Sequence, residues 1–371
     1  MNRISTVLLL AVGSLLVLSL TMLASATMLR DNSTWVIRQA VACGVGFVVF
    51  SLVALVDLKW VHRFTWYVYG GTAFALLLTL SPLGSRRLGA QRWLFGTQPS
   101  EIAKIALVLS LAWFAARYRH RLTSFVTGVL GFGAVAGPLL ALILLEPDKG
   151  TTVLLGGVML GVLLVAGGRW SHATFLALIG AAGMALTIFK SGYAMDRINA
   201  FVKPEANRDS AAQLNQSLYA FSEGGLDGKG LGRGSLKFKV PEQHTDFIFP
   251  VIGEELGLMA TLGVVAAFVV ILLCGASIAH RAEDPFHVFL AAGITFVIAG
   301  QACFNMGVVT GLLPNKGIAL PFISRGGTGV VVMMALVGLL VNLSRQAVSV
   351  EPAARRGKAN PFEDADTDLS Q

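Results

Sequence analysis

Four short clusters concentrate acids, cations and hydroxyls in a chain that otherwise has few of them. The first is Gly89-Ala90-Gln91-Arg92-Trp93-Leu94, continued by Gln98-Pro99-Ser100-Glu101-Ile102-Ala103-Lys104. Pro99, Ser100 and Glu101 suit the start of a helix. Lys104 falls inside an apolar run about one turn beyond Glu101, where a charge is costly and so marks function. Arg92 could neutralise an anion, or anchor at a membrane interface beside Trp93. The second cluster, Glu146-Pro147-Asp148-Lys149-Gly150-Thr151, packs three charges into a turn-forming stretch. The third is Pro241-Glu242-Gln243-His244-Thr245-Asp246-Phe247, followed by Gly253-Glu254-Glu255-Leu256-Gly257. Thr245 or Asp246 could cap a helix that begins near Phe247, but that would leave Glu254 and Glu255 at the membrane edge unexplained. The fourth joins Gly311-Leu312-Leu313-Pro314-Asn315-Lys316-Gly317 to Leu320-Pro321-Phe322-Ile323-Ser324-Arg325-Gly326-Gly327. Its prolines and glycines rule out one regular helix. They read as a broken, re-entrant segment, tolerated at membrane depth only where protein or water covers it.

The chemistry within reach of these residues is proton transfer by a carboxylate and neutralisation of an anion by cations. Hydrolase triads and zinc spacings are absent from the sequence. Cys43, Cys274 and Cys303 all lie in apolar runs and read as small buried hydrophobes, so no metal is read from the sequence. Between 224 and 234 a run of glycines alternates with Lys229 and Arg233, with Lys237 and Lys239 beyond. Such a stretch could approach a phosphate closely or be a plain flexible loop. It lacks the Gly-Lys-Ser/Thr ending of a P-loop.

What must position these clusters is a membrane bundle. The 371 residues are 54% hydrophobic and only 13% charged, too few charges for the shell of a soluble domain. The chain is read as an all-α polytopic membrane protein with about ten transmembrane helices. Apolar runs fall at 7–27, 36–56, 64–80, 100–115, 125–145, 150–167, 173–189, 251–275, 285–310 and 326–345. Residues 1–350 form one membrane domain, 190–250 a long extracytoplasmic loop between helices 7 and 8, and 351–371 a disordered cytoplasmic tail. The first run is longer than a signal-peptide core and is read as a retained helix. Lys and Arg are more frequent in the loops that are inside when both termini are cytoplasmic. Arg30, Arg86, Arg87, Arg92, Lys149, Lys316 and Arg325 then occupy short outer loops. An anionic ligand at that face would account for them, as would a solvated, salt-bridged loop surface. The scattered cations and net charge of +8 do not suit nucleic acid.

The stretches GAQRWL…QPSEIAK, EPDKGT, PEQHTDFIFPVIGEELG and GLLPNKGIALPFISRGG resemble, in order, the motifs of the SEDS proteins, the FtsW/RodA/SpoVE family. The resemblance covers about residues 5–345 and is nearer to the division branch, FtsW. It implies a peptidoglycan glycosyltransferase of the bacterial inner membrane that polymerises lipid II at the outer face, in division or cell shape. It also implies a class B penicillin-binding protein as partner, beside membrane lipids. Asp246 matches the aspartate held to be catalytic in the family. Arg92 and Lys104 match positions important for activity, while Trp93, Asp148 and Glu255 match motif positions with less defined roles. Lys239, His244, Lys316 and Ser324 complete the substrate-binding candidates. No cofactor is implied, although a divalent cation could accompany the pyrophosphate. The chain departs from the family at Glu146 (usually Gln), at Asn315 (usually Thr), and at Arg325 and Thr328 (usually Tyr and Ser). A lipid II flippase is the alternative, since buried charges and broken helices also mark transporters.

Overall fold

The computed structural model describes residues 3–27, 34–87, 90–189, 208–235, 245–314 and 317–356. Apolar runs without internal breakers become the helices α1 (Arg3–Thr27), α2 (Thr34–Leu55) and α3 (Leu58–Leu80). A two-stranded antiparallel ribbon follows, β1 (Ser85–Arg87) and β2 (Ala90–Trp93). Next come α4 (Pro99–Tyr118), α5 (Phe132–Leu145), α6 (Lys149–Val165) and α7 (Trp170–Phe189). The series ends with α8 (Arg208–Gly224), α9 (Ile248–Arg281), α10 (Pro285–Val309) and α11 (Gly327–Arg356).

Eight of these helices are long and apolar enough to cross a bilayer. Of the other apolar helices, α6 has only 17 residues, and α3 carries Lys59, His62 and Arg63 in its first turns. The run read at 64–80 begins six residues earlier, at Leu58, because Asp57 caps the helix by accepting from the Lys59 N–H. The run at 125–145 opens with a π-helical turn over Val126–Gly131. The stretch 190–250, read as loop, contains α8, which lies against α9. Residues of the tail from 357 onward lie outside the described residues.

The bundle is organised around α10, which packs against α4, α6 and α9, while α11 pairs with α2 and α1 with α9. Small residues allow these approaches: a Cβ on Gly275 of α9 would fall 2.0 Å from Thr295 Oγ1 of α10. Helices α2 and α7 bury little of their surface and turn Ile37, Phe47, Leu52, Leu178 and Leu186 outward. Water would penalise those faces; a hydrocarbon environment does not. Connections between consecutive helices place the β-ribbon, the α5–α6 turn, the start of α9 and the end of α10 at one end of the bundle. The Ser5–Ser344 hydrogen bond (3.0 Å) sits at the other.

Candidate functional site

The site is built on the stretch that leaves the end of α10 and returns to the start of α11, whose described residues, 310–314 and 317–326, form no helix. Irregular backbone in a bilayer needs internal partners, and polar side chains planted in apolar helices supply them. Gln301 Nε2 donates to Ala319 O at 2.7 Å, and Asn305 Nδ2 donates to Ile318 O at 2.7 Å, both from α10. From α1, Ser19 Oγ donates to Ile323 O at 2.7 Å. From α2, Gln39 accepts from the Gly326 N–H at 3.3 Å. Ser324 Oγ accepts from the Leu320 N–H at 2.7 Å and donates to Thr245 O. Phe322, 1% exposed, is held at a positive φ of 64° that a non-glycine residue rarely adopts, so the surroundings over-determine this turn.

Asp246 lies two residues before α9 and directly against this segment. Asn305 Nδ2 donates to Asp246 O at 2.8 Å as well as to Ile318 O. The carboxylate lies against Gly317, where an added Cβ would come within 2.3 Å of Oδ2. Phe247 occupies the cap position of α9 and contributes no side-chain cap.

The first two clusters meet on the same side. Arg92 on β2 straps the α5–α6 turn: Nε donates to Glu146 O at 3.1 Å and Nη2 to Pro147 O at 2.5 Å, with Asp148 Oδ1 3.9 Å from Nη1. Asp148 caps α6, accepting from the Thr151 N–H at 3.3 Å and from its hydroxyl at 3.0 Å. Gly150 packs on Ile318: a Cβ there would meet Ile318 Cγ1 at 2.7 Å. A continuous chain of contact therefore runs from Arg92 through Asp148 and Gly150 to Ile318, Gly317 and Asp246. Trp93, half-buried, is paired through β1 with Ser85.

Lys104 is 1% exposed, and its ammonium reaches Glu101 Oε1 and Gln301 Oε1, each at 2.7 Å. It braces α4 against α10 and, through Gln301, the returning segment. Glu255 accepts from Ser25 Oγ at 2.5 Å, from the Gly232 N–H at 3.1 Å and from the Gly234 N–H at 3.3 Å. Glu254 accepts from the Ser235 N–H at 2.7 Å and from Lys229 at 3.3 Å. The glycine-rich stretch, read as a possible phosphate cradle, thus spends the N–H groups of Gly232, Gly234 and Ser235 on these carboxylates. Gly257, at φ 75°, breaks α9 here; a Cβ would strike Leu226 O at 2.3 Å. Lys239, His244, Asn315 and Lys316 lie outside the described residues.

Two departures from the family motifs have local consequences. Arg325 stacks its guanidinium 4.4 Å over the Trp35 ring of α2. Glu146, in the turn between α5 and α6, is fully buried, and among the described residues neither carboxyl oxygen has a hydrogen-bond partner. Burial pushes its pKa up to about 8, and the neighbouring Asp148 pushes the same way, while Thr79 and Arg92 oppose. The Thr79 hydroxyl itself donates to Ala75 O at 2.9 Å. Burial thus favours the neutral acid at Glu146. Among the described residues no group of three His, Cys, Asp or Glu is arranged to hold a metal ion.

Residues 1–349 match the cell cycle protein family of FtsW, RodA and SpoVE. The chain belongs to this family. Among its relatives is a probable peptidoglycan glycosyltransferase FtsW of Geobacter sp. (strain M18), 34% identical over 339 residues, covering 90% of this chain and 92% of that protein. Stage V sporulation protein E of Bacillus subtilis (strain 168) is 37% identical over 351 residues, covering 92% and 95%. Among solved structures, a chain of a peptidoglycan synthase complex that couples polymerization and crosslinking superposes with a TM-score of 0.76 at 23% identity, covering 92% and 97%. The Thermus thermophilus rod shape determining protein RodA superposes with a TM-score of 0.70 at 24% identity, covering 92% and 96%. These two structures share the fold of this FtsW/RodA/SpoVE member.

Ser19, Gln39, Gln301 and Asn305 are the site residues missing from the sequence-derived set. Each is a polar residue inside an apolar run, a signal as legible as Lys104.

Proposed function

We propose that this protein is a peptidoglycan glycosyltransferase that polymerises lipid II at the outer face of the bacterial inner membrane, with both termini cytoplasmic. The carrying observation is the family membership across residues 1–349, with relatives named as peptidoglycan glycosyltransferases. The geometry supports the reading. A carboxylate, Asp246, lies at one end of the bundle where a broken segment, the α5–α6 turn and the β-ribbon converge.

In the reaction, an acceptor sugar hydroxyl attacks the anomeric carbon of the donor. The new glycosidic C–O bond forms as the bond to undecaprenyl pyrophosphate breaks, with one inversion. Asp246 removes the hydroxyl proton, a role worth typically ~10²–10⁴-fold. The leaving pyrophosphate takes up negative charge, which cations at the same face stabilise. Arg92 has 30% of its side chain exposed and is placed for this, with Lys239 and Lys316 as further candidates. Lys104, paired with Glu101 and Gln301, serves by bracing the segment beside Asp246. A class B penicillin-binding protein is the partner by the same family argument.

The test is polymerisation of lipid II in detergent by the purified chain with its partner transpeptidase, wild type against Asp246→Asn. Glycan from the wild type alone supports the enzyme and its base. Glycan from neither, with both proteins folded and lipid II bound, transfers the reading to a lipid II flippase.

A further inference from the structure

We propose that Gly317 and Asn305 form a seat for the Asp246 carboxylate, and so set the rate of the chemical step as positioning residues that act through Asp246. This rests on the reading of Asp246 as the base.

Asn305 is 1% exposed in the last turns of α10. Its one amide nitrogen spends both hydrogens on carbonyls outside regular helix, Asp246 O at 2.8 Å and Ile318 O at 2.7 Å. A flipped amide would set oxygen against two acceptors, so the orientation is dictated. The residue keeps this cross-link although its buried Oδ1 has no partner among the described residues, which costs stability. The bonds hold the approach to α9 beside the returning segment, with Asp246 in register with residues 317–318.

Gly317 completes the seat by what it lacks. Gly311, earlier in the same segment, is a glycine for its φ of 78°; Gly317 is one for the room it leaves. What fills that room is the carboxylate: a Cβ would lie 2.3 Å from Asp246 Oδ2 and 3.2 Å from its Cγ. The overlap is with the free end of a side chain, which can rotate away while the fold stays. Elsewhere the same substitution would strike main chain, as at Gly224, where a Cβ would lie 1.9 Å from Gly253 O. Gly317→Ala therefore displaces the base and spares the structure. A misplacement of about 1 Å costs on the order of 10²-fold in rate.

The experiment compares wild type, Gly317→Ala, Asn305→Ala and Asp246→Asn as full chains with the partner transpeptidase. It measures kcat and KM for lipid II polymerisation across pH, lipid II binding, and thermal unfolding in detergent. Gly317→Ala should lower kcat by about 10²-fold and move the acid limb of its pH profile, while KM, binding and the melting temperature stay at wild-type values. Asn305→Ala should lower kcat and also the melting temperature, since it leaves two carbonyls unpaired. An inactive Asp246→Asn beside a fully active Gly317→Ala overturns the seat and leaves the base standing. A Gly317→Ala whose melting temperature and binding fall together with kcat overturns it in favour of a structural role. An active Asp246→Asn overturns the base reading itself, and the seat with it.

Discussion

Buried charge at single positions carries the clearest consequences in this protein. Lys104 and Glu101 form an ion pair at 2.7 Å with side chains only 2% and 15% exposed. Removing one partner of such a pair strands the other, while removing both is far milder. Lys104→Met should destabilise the chain by about 3 kcal/mol, and the double variant with Glu101→Gln should recover much of that; denaturant or thermal midpoints in detergent will read the difference. Glu146 gives a pH signature. Its pKa is about 8 in the folded chain against 4.5 for an ordinary glutamate, so the folded state holds a proton that the unfolded chain has lost between those values. The stabilisation is complete below pH 4.5 and is lost as pH rises through about 8. Glu146→Gln, near in shape and never ionised, should flatten the fall in melting temperature between pH 6 and 9 and leave the variant more stable at the alkaline end.

Among the elements, the decisive one is not a helix. The 310–326 segment is held by side chains from α1, α2 and α10, each of which would be a fault in a purely apolar span. Gln301→Leu should free Ala319 O and remove an acceptor from Lys104, costing about 1–3 kcal/mol of stability and lowering polymerisation, measured on the same preparation. A second strap joins α1 to the glycine-rich stretch, where Ser25 Oγ donates to Glu255 and accepts from the Gly232 N–H at 2.9 Å. Ser25→Ala should loosen that stretch, read as faster limited proteolysis between Leu226 and Ser235. The clusters were legible because Pro, Gly and charge stand out in apolar sequence. The tasks of Glu254 and Glu255 were not. Nothing in local spacing tells a carboxylate that will meet a substrate from a pair that, like Glu255 and Glu254, will collect two and one backbone N–H groups from residues about 20 positions earlier.

On the scale of the whole molecule, the arrangement is polar along the bundle axis. Arg92, Asp148, Asp246 and the broken segment share one end, while the Ser5–Ser344 contact joins the ends of α1 and α11 at the other. A single-ended site suits an enzyme working on a substrate at one membrane face better than a carrier, whose site belongs near the midplane. Reporter fusions should show this directly. A periplasm-dependent reporter placed after Phe95 should be active, and the same reporter after Arg121 or Arg345 inactive. The opposite pattern would invert the proposed orientation.

The amino-acid sequence by itself determined the membrane class, the family and the existence of four chemical clusters. Those follow from composition, run length and motif order, which are properties of neighbouring residues. Tertiary structure alone decided which cluster residues face each other. It turned Lys104 into a brace, closed the glycine stretch over Glu254 and Glu255, and brought Gly317 against the Asp246 carboxylate. Such pairings depend on helix packing between residues tens to hundreds of positions apart, where a polar side chain is held by whichever backbone group the fold leaves without a partner.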